Sequence, residues 1–258
     1  IFPLCRGRSF PRVPSAPFAH LRSYSLRGVP SFPAVRRGVR FFFRSVLDYC
    51  SSLVRKAEGD ERRQRLNFWG TLALMRCVAS SPAAAIQALR TRAGMESDEE
   101  GEEALLDKVF DGSADSLPDD DVEPPVANDD AELQGLIEKA EHLAGQGGDP
   151  KLKQLSDHLA LLLADGFEPV VFCRYIATAN YLQNHLKKRF PNADVGMVTG
   201  LLAPEQRREL VSAPVEADQR ILVATDCLSE GIDLQEHFNA VVHYDLSWNP
   251  TRHEQREG

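Results

Sequence analysis

The chain has 258 residues, 43% of them hydrophobic, and a formal net charge of −8 at neutral pH. That length holds one full α/β domain with a smaller companion or long extensions. The acidic balance excludes a chain drawn as a whole to nucleic acid by a basic field.

Five cysteines (Cys5, Cys50, Cys77, Cys173 and Cys227) lie far apart and form no C-x-x-C pair. They point to a reducing, cytoplasmic setting rather than a disulfide framework, with an organelle or nucleus left open. No apolar run approaches the roughly 18 residues of a membrane span, so no membrane partner is expected. The chain begins with Ile1 rather than Met and reads as a piece of a longer protein.

Residues 1–44 are rich in Arg, Ser, Pro and Phe, with no acid before Asp48 and no lysine before Lys56. Six prolines, from Pro3 to Pro33, argue against a long helix here. Three readings compete: an organelle transit peptide, a basic arm against phosphates, and a disordered or non-native extension that packs on nothing. The third is preferred. Residues 45–93 read as a helical segment. Val46, Leu47, Tyr49, Cys50, Leu53 and Val54 recur at helical spacing. A second apolar run spans Leu66 to Ala79. Ser80-Ser81-Pro82 then reads as a cap with proline in the first turn of a third helix.

Residues 94–130 are acidic, with Glu99-Glu100, Glu102-Glu103 and Asp119-Asp120-Asp121. A stretch so poor in apolar side chains cannot offset its ordering entropy, which predicts a disordered linker. Residues 131–258 read as one domain. Asp129 and Glu132 resemble a capping box for a helix to about Leu143. Asp149-Pro150 starts another, with Leu152, Leu155, Leu159 and Leu162 on one stripe and Gly166 as its stop. A βα alternation follows: strands at 169–173, 194–198, 221–224 and 240–244, with helices at 176–190 and 204–211. That alternation predicts a parallel sheet flanked by helices, and ligands gather at the carboxyl rim of such sheets.

Two of these strands run out into motifs. Thr225-Asp226 begins ATD-x-x-x-x-GID, and Tyr244-Asp245 leads into SWNPTRHEQREG. These resemble motif V and the start of motif VI of superfamily 2 helicases and translocases, the WNP form being that of the Swi/Snf branch. The resemblance covers roughly 151–258 and implies a RecA-like α/β fold, the second of two motor lobes. It implies ATP with magnesium as cofactors when the N-terminal RecA-like lobe is present. Double-stranded DNA is the implied track.

On the nucleic-acid side the resemblance places Thr225 and Asp226, the latter orienting neighbours because a carboxylate cannot donate. Arg174, after the motif IV-like strand, joins them, as do Thr199 and Gly200, which offer a hydroxyl and an N–H that position without reading sequence. On the nucleotide side it places Gly231, where backbone can approach closely, Asp233 as an acceptor, and Gln255 and Arg256. Arg256 by itself reads as structural or cleft-lining. Asn249-Pro250 should start a helix through Gly258. Arg207 and Arg208 read as a solvated helix face. Histidines 237, 243 and 253 lack metal-ligand spacing, and Cys173 and Cys227 read as small packing residues.

No G-x-x-x-x-G-K-[ST] loop occurs, and Gly258 precedes the two later arginines of the pattern Q-R-x-G-R-x-x-R. The chain is therefore not expected to hydrolyse ATP unaided. Two alternatives stand beside this reading. One is an inactive fragment or non-enzymatic docking module. The other is an RNA helicase lobe, which Glu230 disfavours because related RNA helicases often carry Arg there.

Overall fold

In a computed structural model, the described residues are 22–25, 33–56, 61–94, 130–213, 217–228, 234–246 and 250–257. The elements are β1 (Arg22–Ser25), α1 (Pro33–Lys56), α2 (Glu61–Ser80), α3 (Pro82–Gly94) and α4 (Asp130–Leu143). They continue with α5 (Pro150–Ala164), β2 (Pro169–Phe172), α6 (Ile176–Arg189), β3 (Ala193–Val198) and α7 (Pro204–Ser212). The last are β4 (Gln219–Ala224), a 3-10 turn (Asp226–Leu228), β5 (Ala240–His243) and α8 (Pro250–Glu257).

The sheet runs in the order β1-β5-β2-β4-β3. Every pairing is parallel. Strands β2, β4 and β5 are apolar runs with both faces covered, as parallel sheets require. Their side chains alternate between two cores. Val171, Ile221, Val223 and Val242 face α5 and α6, while Val170, Phe172, Leu222, Ala224 and Val241 face Val211, Leu234 and Phe238. Each leucine of the α5 stripe is at most 3% exposed, a burial that contributes roughly 2 kcal/mol per side chain.

The ends of α5 follow from single residues. Asp149 is the N-cap, and its Oδ1 accepts from the amides of Lys151 (2.9 Å) and Leu152 (3.2 Å). Its other oxygen accepts from the Tyr181 hydroxyl at 3.1 Å. Gly166, at φ +80°, takes the left-handed conformation past the helix end, where other residues are strained. Its own amide and that of Phe167 donate back to the carbonyls of Leu163 and Leu162.

Helices α1 to α4 share a separate core built from Phe42, Val46, Tyr49, Leu74, Leu89, Leu133, Ile137 and neighbours. Two expected boundaries move as a result. The first helix begins at Pro33, not near Ser45, because a first-turn proline costs no hydrogen bond and no further proline follows until Pro82. Residues 22–25 also form a strand, on the edge beside β5. Helix α4 belongs to the helical core rather than to the sheet domain, so the domain begins at about Asp149. Of the expected acidic linker, 94–130, Gly94 and Asp130 belong to α3 and α4, and residues 95–129 lie outside the described residues.

The helical core is joined to the sheet domain by a polar seam. Ser80 and Ser81 hydroxyls each lie 2.8 Å from the Thr178 hydroxyl on α6. Ser81 also caps α3, accepting from the Ala84 amide at 3.1 Å. Tyr175, at the start of α6, is buried in the helical core.

Candidate functional site at the carboxyl rim of the sheet

Parallel register places Val198, Ala224, Phe172 and His243 side by side. The residues that follow them therefore emerge along one rim: Thr199-Gly200, Thr225-Asp226, Cys173-Arg174 and Tyr244-Asp245. Helix α8 closes over this rim. The arrangement brings together residues that are far apart in the chain.

Arg256 is the pin of α8. It is 2% exposed, and its Nε and Nη2 both reach Oδ1 of Asp226. Its Nη1 donates to the main-chain oxygen of Asp245 at 2.9 Å and lies 3.3 Å from a ring nitrogen of His243. The guanidinium sits 5.2 Å from the Phe172 ring centroid. Asp226 is itself only 9% exposed. Both charges thus face inward and hold the helix against two strand ends.

Asp245 is the second node. Its Oδ1 accepts from Lys151 at 2.6 Å. Its Oδ2 accepts from the Ser80 hydroxyl at 2.7 Å and the Arg174 amide at 3.0 Å. Burial alone would raise this carboxyl, but the Lys151 ammonium and these donors outweigh it and hold it below its ordinary value. Lys151 also donates to the carbonyls of Ala79 (3.2 Å) and Ser80 (3.0 Å), satisfying the end of α2. The same ammonium lies 4.0 Å from the Tyr244 ring centroid.

The residues expected on the nucleic-acid side fall into three groups. Thr199 and Thr225 are buried at 3% and 2%. The Thr225 hydroxyl points to Cys227 Sγ at 3.3 Å, and its amide extends the β3–β4 ladder to Val198. Gly200 is exposed, with open space where a Cβ would stand. Arg174 is half-buried, its guanidinium 5.9 Å from the Tyr175 ring. Of the nucleotide-side set, Gln255 is exposed on α8 while Arg256 is enclosed. Gly231 and Asp233 lie outside the described residues, as does Asn249.

Arg207 is not part of a solvated face. Its Nε donates to Leu202 O (2.7 Å), its Nη2 to Gly200 O (2.9 Å) and its Nη1 to Cys227 O (3.3 Å). It therefore ties the loop after β3 to the turn after β4. Arg208 is exposed. Arg220 plays a similar part, donating to Val211 O and Leu210 O at the end of α7. Sequence gave no signal for these arginines, because their partners are main-chain carbonyls of other elements. Lys151 and Ser80 carry no sequence signal either, because the carboxylate that both meet, Asp245, lies 94 and 165 positions away.

Cys173 is fully buried, and burial pushes its thiol well above the ordinary thiol value, as in a packing residue. Among the described residues no group of three or more His, Cys, Asp or Glu side chains is placed to hold a metal. His243 and His253 instead stack edge to face, with ring centroids 4.9 Å apart.

Comparison with known proteins places this geometry. Residues 150–258 match the family model of the helicase conserved C-terminal domain. The chain is similar to ATP-dependent RNA helicase uap56 of Schizosaccharomyces pombe, 31% identical over 49% of this chain and 27% of that protein. It is similar to ATP-dependent RNA helicase eIF4A of Chaetomium globosum, 30% identical over 52% of this chain and 32% of that protein. Its match thus spans about a third or less of the length of these curated relatives.

In fold it resembles the Sulfolobus solfataricus SWI2/SNF2 ATPase core in complex with dsDNA (TM-score 0.53, 14% identity, 92% of this chain and 38% of that one). It also resembles the C-terminal part of the Fun30 ATPase domain (TM-score 0.52, 13% identity, 92% of this chain and 79% of that one). The motif order, the parallel sheet with its rim and the family match agree: residues 150–258 are a C-terminal RecA-like lobe of the superfamily 2 helicase kind.

Proposed function

We propose that this lobe is the second half of an ATP-driven motor of the Swi/Snf-like branch that translocates on double-stranded DNA. The observation that carries the reading is the rim. Three parallel strand ends offer Thr199, Gly200, Arg174 and Thr225 along one edge, and Arg256 fastens α8 across it. In this reading the exposed loop at Gly200 and the side chain of Arg174 lie along phosphates, contacts that position the track without reading its bases. The WNP form at 248–250 and the folds of the SWI2/SNF2 neighbours support the branch.

ATP is the cofactor this reading requires, with magnesium brought by the partner lobe. When bound between two lobes, it supplies the phosphoryl-transfer chemistry. Gln255, exposed on α8, is the described side chain free to reach it. Arg256 is committed to Asp226 and holds α8 in place. The role of this chain is to orient one wall of the cleft.

A second reading is an RNA helicase lobe. It is favoured by the curated relatives, several of which are named ATP-dependent RNA helicases. The two differ in track. ATP hydrolysis by the protein carrying both lobes, measured with added duplex DNA and with added RNA, separates them. Stimulation by duplex DNA is expected. Stimulation by RNA alone selects the second reading, and no stimulation by either removes both.

A further inference from the structure

Helix α1 has two faces of opposite character. Phe42, Val46, Tyr49, Cys50 and Leu53 are buried in the helical core. The opposite face carries Arg37, Arg40 and Arg44, all exposed, at i, i+3 and i+7 and so in one stripe roughly 10 Å long. Large apolar side chains flank it: Phe41 is 64% exposed, Phe43 39% and Leu47 46%. A groove of about 770 Å³ runs over these six residues. Lys139 of α4 adds a fourth cation, its ammonium 5.2 Å from the Phe41 ring centroid and 3.3 Å from the Ser45 hydroxyl. Asp48 is the acid on this stripe.

A single stripe of charge is ordinarily a solvated face. This one differs in two respects. It is a basic island on a chain whose net charge is −8, and its margins are exposed aromatic rings, which a merely solvated face does not need. We propose that the outer face of α1 is a docking surface for the phosphate backbone of a nucleic acid, separate from the rim of the sheet.

Charge complementarity selects the occupant. Guanidinium groups bind phosphates in bidentate fashion, and aromatic rings beside them give bases a surface to stack on. A lipid surface fits less well. An interfacial helix inserts a continuous apolar face, and the continuous apolar face of α1 is already enclosed by α2 and α4. The choice of nucleic acid among polyanions rests on the reading of the lobe as part of a nucleic-acid motor.

The test is an anisotropy titration of the full 258-residue chain with a labelled oligonucleotide, single-stranded and duplex, at several salt concentrations. The variant Arg37→Glu with Arg40→Glu and Arg44→Glu should bind roughly tenfold more weakly or worse. Its salt dependence should also be shallower by about 2.7 in log–log slope for a duplex, three phosphate contacts at about 0.9 each. Lysine at the same three positions should keep the slope. All three side chains are exposed, so circular dichroism and melting should be unchanged.

Equal affinity and slope in the Glu variant would overturn the proposal while leaving the lobe reading intact, since binding would then lie elsewhere. No binding of either oligonucleotide at low salt would also overturn it, and the two-lobe ATPase assay would still decide the lobe reading. Equally tight, Arg-dependent binding to phosphatidylserine-containing vesicles would overturn it in favour of a membrane surface. Binding that emerges only when Glu99, Glu100, Glu102 and Glu103 are changed to Gln would make the chain's own acidic run the occupant, and would overturn it as well.

Discussion

Arg256 and Asp226 are a buried ion pair, and such a pair is more costly to break than to replace. Removing one partner strands the other charge. Asp226→Ala should therefore destabilise the lobe by about 3 kcal/mol, read as a lower denaturation midpoint. Arg256→Met with Asp226→Leu should cost clearly less than the sum of the two single changes. Additive single effects would show that the pair is not coupled. Asp245 gives a pH signature. Its native pKa lies below the unfolded one, so its stabilisation is fully present above the ordinary value of about 3.9 and is lost as pH falls through the native value. Asp245→Asn should lower stability at pH 7 and flatten the acid limb of the stability profile below about pH 4. Asp149 works in the opposite sense: burial outweighs its amide and hydroxyl donors and raises its pKa. Its charge costs stability at neutral pH, and the cost is relieved as pH falls through that raised value.

The elements of the sheet domain were largely legible because each is bounded by residues with one dominant preference. Val170, Val171 and Phe172 follow a proline and precede a polar turn. Asp149-Pro150 opens α5 and Gly166 closes it. The βα order then dictates parallel strands. Strand β1 was not legible, since Arg-Ser-Tyr-Ser has no apolar alternation and is a strand only because β5 offers an edge. The start of α1 is not legible either, since a proline breaks a helix everywhere except in its first turn, and sequence alone does not say that Pro33 stands in one. The strand ends were legible, and Thr199, Thr225 and Asp226 lie along the rim they form. The fastening of that rim was not legible. Arg256 meets Asp226 across 30 positions of sequence, and only strand order decides that encounter. Gly166→Ala tests the helix stop: at φ +80° an alanine should cost about 1 kcal/mol, seen as a lower melting temperature. An unchanged melt would mean the turn is free to adopt another conformation.

At the scale of the whole molecule, the helical core and the lobe are held together by the Ser80–Ser81–Thr178 hydroxyls and by Lys151 and Asp245. Each part carries one of the two tryptophans in sequence, Trp69 on α2 and Trp248 within the motif VI-like stretch. In single-tryptophan versions of the chain, made by Trp69→Phe or Trp248→Phe, both should follow one unfolding transition. Thr178→Val, which leaves two buried serine hydroxyls short of a partner, should separate the transitions. Distinct midpoints in the unaltered seam would show that the parts fold independently. A helical segment docked in this way can transmit a displacement to α8, since Asp245 holds Ser80 by its side chain and Arg256 by its main-chain oxygen.

The three partners of the Asp245 carboxylate come from 165, 94 and 71 positions away. Such a meeting point closes long loops and can be completed only after the pieces that bear it have condensed. Interactions that arrive after the transition state act on the rate of opening and hardly at all on the rate of closing. This one carboxylate should thus set how long the assembled chain survives between openings, and with it the interval during which a protease finds nothing to cut.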